Sequence, residues 1–411
     1  MVTIDREALL QRFLRYVQVD TQANPDTDQY PSSEGQWTLG KILVGELREL
    51  GLADAAQDDH ALVTATVLAN IEAPTIVFNS HLDTSPEAPG ANVRPQVIRD
   101  YAGGDIDLPG NPELKITLEE SPELKDLIGC TLVTTDGTTL LGADDKAGVA
   151  IIMQLVATLM EQSDLPHGEI RILFTCDEEI GRGVNHVDVP GLNAVAGYTL
   201  DGPAANEVDV ETFSADGAKV TVRGVNIHPA IAKDRMVNSM RATAHFLSQL
   251  PADFSPERTE GRDGFLHPYH LQGQVDLTVI KILLRDFEDQ NLVRQAKLLH
   301  QAAAATEAAI PGCQVEVEIS EQYRNMREGL AKEPRAVAFA LAAHERLGRV
   351  PKQEIIRGGT DGSRLTALGL PTPNLSSGQH NLHSRLEWAC LDEMEQAVQV
   401  LVELAAAWTG A

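Results

Sequence analysis

The chain has 411 residues and a formal net charge of −27, because 60 Asp and Glu residues outnumber 33 Lys and Arg residues. A negative field of this size repels phosphate backbones and anionic membrane surfaces, so we expect neither nucleic acid nor a membrane as a partner. No segment approaches the roughly 18 consecutive apolar residues of a membrane-spanning helix. The length favours two domains over a single core.

The four cysteines predict the cellular compartment. Cys130, Cys176, Cys313 and Cys390 lie far apart and form no Cys-x-x-Cys pair, which favours reduced thiols over a disulfide framework. The N-terminal residues lack the basic and apolar segments of a secretory signal. These features predict a cytoplasmic protein.

Helices and strands near the N-terminus are predicted from periodicity and capping signals. An apolar stripe at helical spacing predicts a helix over 6–17. Ser33 followed by Gln36 is a capping-box pattern, which predicts a second helix over 37–50. Apolar, largely β-branched segments predict buried strands over 61–68 and 75–80.

Strands and helices then alternate along the chain. Predicted strands over 132–135, 169–175 and 198–200 surround a predicted helix over 146–161. This alternation predicts an α/β fold, a sheet flanked by helices.

From about residue 212 a different order of elements begins. The predicted elements are a strand over 219–223, a helix over 236–250, one long strand or two hairpinned strands over 274–286, a helix over 287–309 and a strand over 314–320. This βα(ββ)αβ order is typical of a small α+β module. We therefore expect a main domain of residues 1–211 and 326–411, interrupted by a module of residues 212–325. Two more helices are predicted in its last part, over 334–347 and 391–407.

Potential metal ligands follow several predicted strands. His81, Glu179 and Asp201 come directly after or close to strand ends, Asp144 precedes a helix, and His383 lies near the C-terminus. Each has an ordinary explanation when taken singly: the pair Asp144-Asp145 is typical of a helix N-cap, and the others are typical of solvated turns.

The positions of these residues in the predicted sheet favour a shared site. The carboxyl ends of strands in an open α/β sheet face one crevice, where ligands bind. Two imidazoles and three carboxylates would suit two Zn²⁺-like ions that share one carboxylate bridge. Glu178 would then be free to act as a general base, and Asp83 could orient the ring of His81.

Several longer motifs carry a resemblance to a known family. They are His81-Leu-Asp-Thr-Ser-Pro, Thr134-Thr-Asp-Gly, Leu140-Leu-Gly-Ala-Asp-Asp-Lys-Ala-Gly-Val, Asp177-Glu-Glu, His228-Pro, Tyr323-Arg-Asn-Met-Arg-Glu and Ile356-Arg-Gly-Gly-Thr-Asp-Gly. With these motifs the chain resembles the co-catalytic di-zinc peptidases, a family that includes glutamate carboxypeptidases, aminoacylases and succinyl-diaminopimelate desuccinylases. Within it, the likeness is to the tripeptide aminopeptidases.

The resemblance implies a fold and a set of metal ligands. The fold would be a mixed sheet flanked by helices, with the α+β module as a lid or dimerisation domain. Two Zn²⁺ ions per subunit, with Co²⁺ or Mn²⁺ as substitutes, would share Asp144. One ion would also bind His81 and Asp201, and the other Glu179 and His383. The peptide bond between Asp144 and Asp145 would be cis.

The resemblance also implies an activity and a set of substrate contacts. The enzyme would release the N-terminal residue of short peptides, most of them tripeptides, and would be a monomer or a homodimer through the inserted module. Glu178 would be the base, and His228 would polarise the scissile carbonyl. Arg285, Arg357 and Asn238 would bind the peptide.

Three loops depart from the pattern of these aminopeptidases. The Gly-rich run expected after Asp201 is replaced by Gly202-Pro203-Ala204-Ala205. Ala230 and Asp234 stand where glycine is common, and the loop over 376–384 lacks a paired glycine and an aromatic residue. Because these departures lie near the expected substrate site, a dipeptidase, a carboxypeptidase or an N-acyl amino acid hydrolase stays open as an alternative. A more distant alternative is a non-catalytic acidic binding protein.

Overall fold

The computed structural model describes residues 2–410. Its helices are α1 (Arg6–Val17), α2 (Glu34–Glu49), α3 (Ala143–Glu161), α4 (Val189–Leu192), α5 (Ser239–Ser248), α6 (Asp289–Ala309), α7 (Arg327–Leu330), α8 (Arg335–Arg346), α9 (Asp361–Ala367) and α10 (Leu391–Trp408). None of these helices combines the length and the apolar character that a membrane crossing requires within residues 2–410.

The strands fall into three sheets. They are β1 (Ala56–Gln57), β2 (Val63–Val67), β3 (Ile76–His81), β4 (Gln96–Ile98), β5 (Ile106–Asp107), β6 (Lys115–Ile116), β7 (Leu132–Thr134), β8 (Ile170–Thr175), β9 (Ala196–Pro203), β10 (Glu207–Thr212), β11 (Ser214–Arg223), β12 (Phe265–Gly273), β13 (Leu277–Asp286), β14 (Gln314–Tyr323), β15 (Lys352–Ile356), β16 (Asn374–His380) and β17 (Trp388–Cys390).

The chain divides into two compact units. The larger unit contains residues 2–210, 326–354 and 360–410, and the smaller contains Glu211–Asn325 together with Ile355–Gly359. The predicted module of 212–325 thus leaves out the short segment 355–359. That segment belongs to the smaller unit because the Phe213 N–H donates to the Ile356 carbonyl at 3.1 Å.

The sheet of the larger unit brings several strand ends to one edge. Its main path runs β1-β2-β8-β3-β9-β16-β17-β7-β4. Strand β3 is parallel to β8 and to β9, and β16 is parallel to β9. Parallel neighbours end on the same side of a sheet, so the residues after β3, β8, β9 and β16 gather at one crevice. The mixed α/β architecture expected from the sequence is confirmed.

Helix α3 forms the centre of the larger unit. Nearly every residue along it is buried, from Ala143 to Leu159, which is typical of a helix that is apolar on all sides. Its first turn is interrupted, because Asp144 has φ −80° and ψ 104°, and Asp145 has φ −121° and ψ 33°. The regular helix therefore begins at Lys146, as the sequence predicts.

The smaller unit is a four-stranded antiparallel sheet with two helices. Its strand order is β12-β13-β11-β14, and its chain order is βαββαβ, which confirms the predicted order of elements. Apolar side chains of α5 and α6, including Phe246 and Leu299, are buried in its core. The helix faces and the sheet thus share one hydrophobic interior.

Two local predictions were wrong. The segment 274–286 contains one strand, β13, rather than a hairpin of two, and its hairpin partner β12 begins outside it at Phe265. Strand β12 was missed because Pro268 and several polar residues interrupt the apolar pattern. Pro268 lies where the register with β13 shifts, a position in which proline is tolerated. The capping box does not form either, because Ser33 makes no side-chain capping bond. The Gln36 amide instead donates to Asp177 at 2.7 Å.

Candidate metal centre

Five predicted ligands meet at the crevice of the larger unit. His81 is the last residue of β3, Asp201 lies near the end of β9, Glu179 follows β8, and His383 follows β16. Asp144 lies in the interrupted first turn of α3. The five side chains form two groups that could each hold a metal ion, His81 with Asp144 and Asp201, and Asp144 with Glu179 and His383.

The first group is deeply buried. His81 Nε2 lies 3.0 Å from Asp144 Oδ1 and 3.7 Å from Asp201 Oδ1. On the other side of the ring, Nδ1 lies 3.1 Å from the Asp83 carbonyl and 3.4 Å from its Oδ1. A hydrogen bond from Nδ1 fixes the tautomer and leaves Nε2 as the ligand atom.

The second group is more open to solvent. His383 Nε2 lies 3.1 Å from Asp144 Oδ2 and 3.0 Å from Glu179 Oε2. Its Nδ1 lies 3.2 Å from a carboxylate oxygen of Glu87. Each oxygen of Asp144 thus faces a different histidine, which is the arrangement expected of a bridging carboxylate.

Asp83 also organises the segment that carries Glu178 and Glu179. Its two carboxylate oxygens accept hydrogen bonds from the Glu178 N–H at 3.0 Å and the Glu179 N–H at 3.1 Å. One buried carboxylate therefore orients a histidine and anchors the turn with the predicted base and a predicted ligand.

Asp145 anchors the interrupted turn to β3. The peptide bond between Asp144 and Asp145 is cis. Asp145 Oδ2 accepts hydrogen bonds from the Ser80 hydroxyl and, at 3.2 Å, from the His81 N–H. Asp145 therefore stabilises the position of the neighbouring Asp144 without facing the histidines itself.

The pKa values reflect carboxylates crowded together. Burial and the charge of Asp144 raise the pKa of Glu179 to about 8, and the same causes raise that of Asp201 to about 6. Burial opposes ionisation of His383, but hydrogen bonds to Asp144 and Glu179 raise its pKa to about 12. Burial likewise disfavours a charge on His81, and carboxylate hydrogen bonds outweigh it and raise the pKa. The carboxylates thus require nearby positive charge.

Glu178 has the electrostatic environment of a proton carrier. Burial, together with the nearby carboxylates of Asp361 and Asp201, raises its pKa well above the usual range, although the charge of His81 opposes the shift. A raised pKa favours transfer of a proton to and from the carboxylate near neutral pH.

The donor set fits a divalent metal ion. Each group offers one imidazole nitrogen and two carboxylate oxygens, which are ligands of Zn²⁺ and related ions. The second oxygen of Glu179, Oε1, is buried and has no hydrogen-bond partner among residues 2–410. Buried polar atoms normally have partners, so this oxygen is available to bind a cation.

The remaining predicted residues belong to the smaller unit. His228 is exposed, and its Nδ1 accepts a hydrogen bond from the Ala230 N–H at 3.2 Å. Asn238 is the N-cap of α5, and its side-chain oxygen accepts from the N–H groups of Met240 and Arg241. Their roles toward a substrate stay predictions.

The two arginines differ in their surroundings. Arg285 Nη1 donates to the carbonyls of Asp216 at 3.1 Å and Leu284 at 2.9 Å. The guanidinium of Arg357 donates to the Gly261, Asp263 and Thr259 carbonyls and to the Thr259 hydroxyl. Its contacts are those of a residue that holds a loop, so the predicted binding of peptide by Arg357 is the less supported of the two.

Sequence reasoning missed Glu87 and Glu387. Glu87 is exposed and lies in a Pro-rich segment with no periodic signal. Glu387 is buried and accepts hydrogen bonds from the backbone immediately before and at Asp144. Its spacing of four residues after His383 was a possible signal, but nothing local indicates its distant partner.

The fold and this donor set define a metal-binding hydrolase. Comparison with known proteins gives the family. The model of peptidase family M20/M25/M40 matches residues 133–407, and the chain belongs to that family.

Individual relatives agree with this family. The chain is 46% identical over 403 residues to a protein of Shouchella clausii named peptidase T, covering 97% of this chain and 98% of that protein. A tripeptidase from Staphylococcus aureus has a similar fold, with a TM-score of 0.79, 23% identity and coverage of 99% of this chain and 100% of the other. A dinuclear metal-binding M20 peptidase of Bacillus subtilis has a TM-score of 0.66 at 15% identity, with coverage of 99% and 98%.

Proposed function

We propose that the protein is a metal-dependent aminopeptidase that releases the N-terminal residue of short peptides, chiefly tripeptides. The observation that carries the proposal is the pair of ligand groups that share Asp144. The nearly full-length likeness to a protein named peptidase T supports the choice of substrate.

The proposed centre holds two ions, with Zn²⁺ as the preferred metal and Co²⁺ or Mn²⁺ as substitutes. His81 and Asp201 would bind one, Glu179 and His383 the other, and Asp144 both. When bound, the ions would supply Lewis acidity and a water molecule of lowered pKa.

Glu178 is the proposed general base. Its carboxylate takes a proton from the attacking water and returns it to the leaving amine. The contacts of Asp83 with the N–H groups of Glu178 and Glu179 support this role, because they hold the base and a ligand in a fixed relation. Asp83 is thereby a positioning residue for His81 and for Glu178.

The smaller unit is the proposed lid or dimerisation domain, in a monomer or a homodimer. An Nδ1 that accepts a hydrogen bond leaves the proton of a neutral His228 on Nε2, which suits donation to a substrate carbonyl. Arg285 and Asn238, and less directly Arg357, are the proposed contacts of the peptide. An arginine suits a carboxylate because its guanidinium donates two parallel hydrogen bonds.

The test measures hydrolysis of one tripeptide in three forms, free, N-acetylated and C-amidated, by protein before chelation, after chelation and after addition of Zn²⁺, Co²⁺ or Mn²⁺. We expect the free peptide to be cleaved at its first bond and the acetylated peptide to resist. Chelation should abolish activity, and a metal should restore it.

Each alternative gives another pattern. Preference for the N-acetylated form would indicate an acyl amino acid hydrolase. Release of the last residue from the free peptide, with resistance of the C-amidated peptide, would indicate a carboxypeptidase. Activity that survives complete metal removal would refute the proposal.

A further inference from the structure

The carboxylate of Glu387 binds the backbone immediately before and at Asp144. Its Oε2 accepts hydrogen bonds from the N–H groups of Leu141 at 2.7 Å and Gly142 at 2.8 Å. Its Oε1 accepts from the Asp144 N–H at 3.0 Å. Glu387 is 1% exposed, so these bonds are shielded from water.

The usual acceptor for N–H groups at the start of a helix is the side chain of the N-cap residue, and α3 has none. The residue that caps α3 is Gly142, which has φ 82° and no side chain to accept a hydrogen bond. N–H groups at the start of a helix need acceptors, especially when they are buried. A glutamate 245 residues away along the chain therefore serves as the cap.

The position of Glu387 links two ligand segments. It follows His383 by four residues and directly precedes β17, which pairs with β7. One rigid side chain therefore connects the loop that carries His383 to the turn that carries Asp144.

A buried carboxylate at this place is costly unless it is well compensated. Three N–H donors compensate it, and Lys146, which is 1% exposed, interacts with it electrostatically. The Lys146 ammonium is itself held by the Val19 carbonyl at 2.8 Å. Glu387 and Lys146 are thus both buried next to the turn of Asp144.

We propose that Glu387 is a positioning residue that holds the Asp144 carboxylate between the two histidines before any metal binds. This inference rests on the proposed function, because it assumes that Asp144 bridges two ions. It predicts that loss of one specific hydrogen bond, that to the Asp144 N–H, weakens metal binding.

Replacement of Glu387 by Gln isolates this bond. The amide oxygen can take the place of Oε2 and accept from Leu141 and Gly142. The amide NH₂ then faces the Asp144 N–H, donor against donor, so the contact at Asp144 is lost while the side-chain shape is kept.

The experiment compares four metal-free proteins, the parent, E387Q, E387D and E393Q, by competition for Zn²⁺ with a chromophoric chelator. Glu393 is a matched control, since it is also buried and bonds to His380 at 2.7 Å without contacting the turn of Asp144. We expect the dissociation constants of E387Q to rise about 10–100-fold and those of E393Q to stay within about threefold. For E387Q, kcat should fall while KM for a tripeptide changes little.

The readouts separate failure of this inference from failure of the proposed function. A parent that binds no Zn²⁺ would refute the proposed function. A parent that binds two ions, with E387Q equal to it in affinity and kcat, would refute the role of Glu387. The melting temperature without metal measures any general loss of stability. That of E393Q shows how large the loss is when a buried glutamate outside the turn of Asp144 is replaced.

E387D decides the matter if E387Q does not fold. It keeps the carboxyl group but is one methylene shorter, so its metal affinity should lie below that of the parent. Parental affinity in E387D would contradict the proposal.

Discussion

The two halves of the candidate centre share Asp144 but differ in how the protein supports them. The His81 side chain is 2% exposed and is backed by Asp83, which is fully buried. The His383 side chain is 35% exposed and is backed by Glu87, which is 69% exposed. A buried partner holds a ring firmly, whereas an exposed ion pair contributes little.

This difference indicates which half is organised before metal binds. The His81 half is fixed by side chains and backbone groups of the fold, so it should bind metal with little rearrangement. The His383 half faces the solvent and should be the place where metal exchanges more easily. We expect the two sites to be filled in that order.

The largest effect should come from the shared ligand. Asp144→Asn removes one negative charge from both halves, and loss of several kcal/mol of electrostatic stabilisation corresponds to a fall in kcat/KM of about 10³-fold or more. Both metals should bind weakly in equilibrium dialysis. Loss of one metal with the other unaffected would show that Asp144 serves a single half.

Asp136→Asn is a matched control for this variant. Asp136 is also buried, but its carboxylate bonds to Thr138 and lies outside both ligand groups. Its activity should stay near that of the parent.

The next largest effect should come from the support of the buried half. Asp83→Asn weakens the orientation of His81 and the anchoring of Glu178, and such changes cost about 10–100-fold in metal affinity or activity. Isothermal titration should show the loss in the tighter of two binding steps. A loss confined to the weaker step would reverse our assignment of the two halves.

The corresponding change on the open half should be much smaller. Glu87→Gln removes an exposed partner of His383, and an exposed pair contributes about 0.2–1 kcal/mol, so metal affinity should fall by less than about sixfold. The ratio of the two losses measures the difference between the halves. Equal losses of metal affinity from Glu87→Gln and Asp83→Asn would contradict the claim that the protein supports the two halves differently.

The smallest effect concerns stability and pH. In the metal-free protein the pKa of Glu179 is raised from 4.5 to about 8. Between these values the unfolded chain loses the proton more readily than the folded one, so the free energy of unfolding falls as pH rises. The pKa of His383 is raised from 6.5 to about 12, so its stabilising charge is lost as pH rises above 6.5. Both shifts therefore lower the stability of the metal-free protein as pH rises from 6.5 to 8.

Metal replaces these protons, so the gap in melting temperature between metal-loaded and metal-free protein should widen over this range. We expect a change of about 2–4 °C in scanning calorimetry. A gap that narrows as pH rises would contradict the assignment of Glu179 and His383 as a metal-binding pair.

Sequence reasoning found the parts of the site that follow apolar strands. His81, Glu179 and Asp201 lie at or just beyond the ends of strands β3, β8 and β9. The apolar character of these strands is visible in the sequence, and parallel strands bring their ends together. The helix of Lys146 to Glu161 was equally visible.

The missed features depend on contacts between distant segments. Glu387 meets Gly142 because β17 pairs with β7. The sequence predicts β7, but β17 is only three residues long and was not predicted. Gln36 looked like part of a helix cap, but a buried acceptor on Asp177 competes for its amide. Tertiary contacts of this kind override local preferences.

The central claim is that Glu178 moves the proton at a centre of two metals, and Glu178→Gln tests it most directly. The variant keeps the shape of the side chain but cannot accept a proton. Metal content and tripeptide hydrolysis are measured on the same preparation. We predict two ions per chain, as in the parent, and a rate lower by about 10²–10⁴-fold. Parental hydrolysis by a variant that holds both ions would contradict the account.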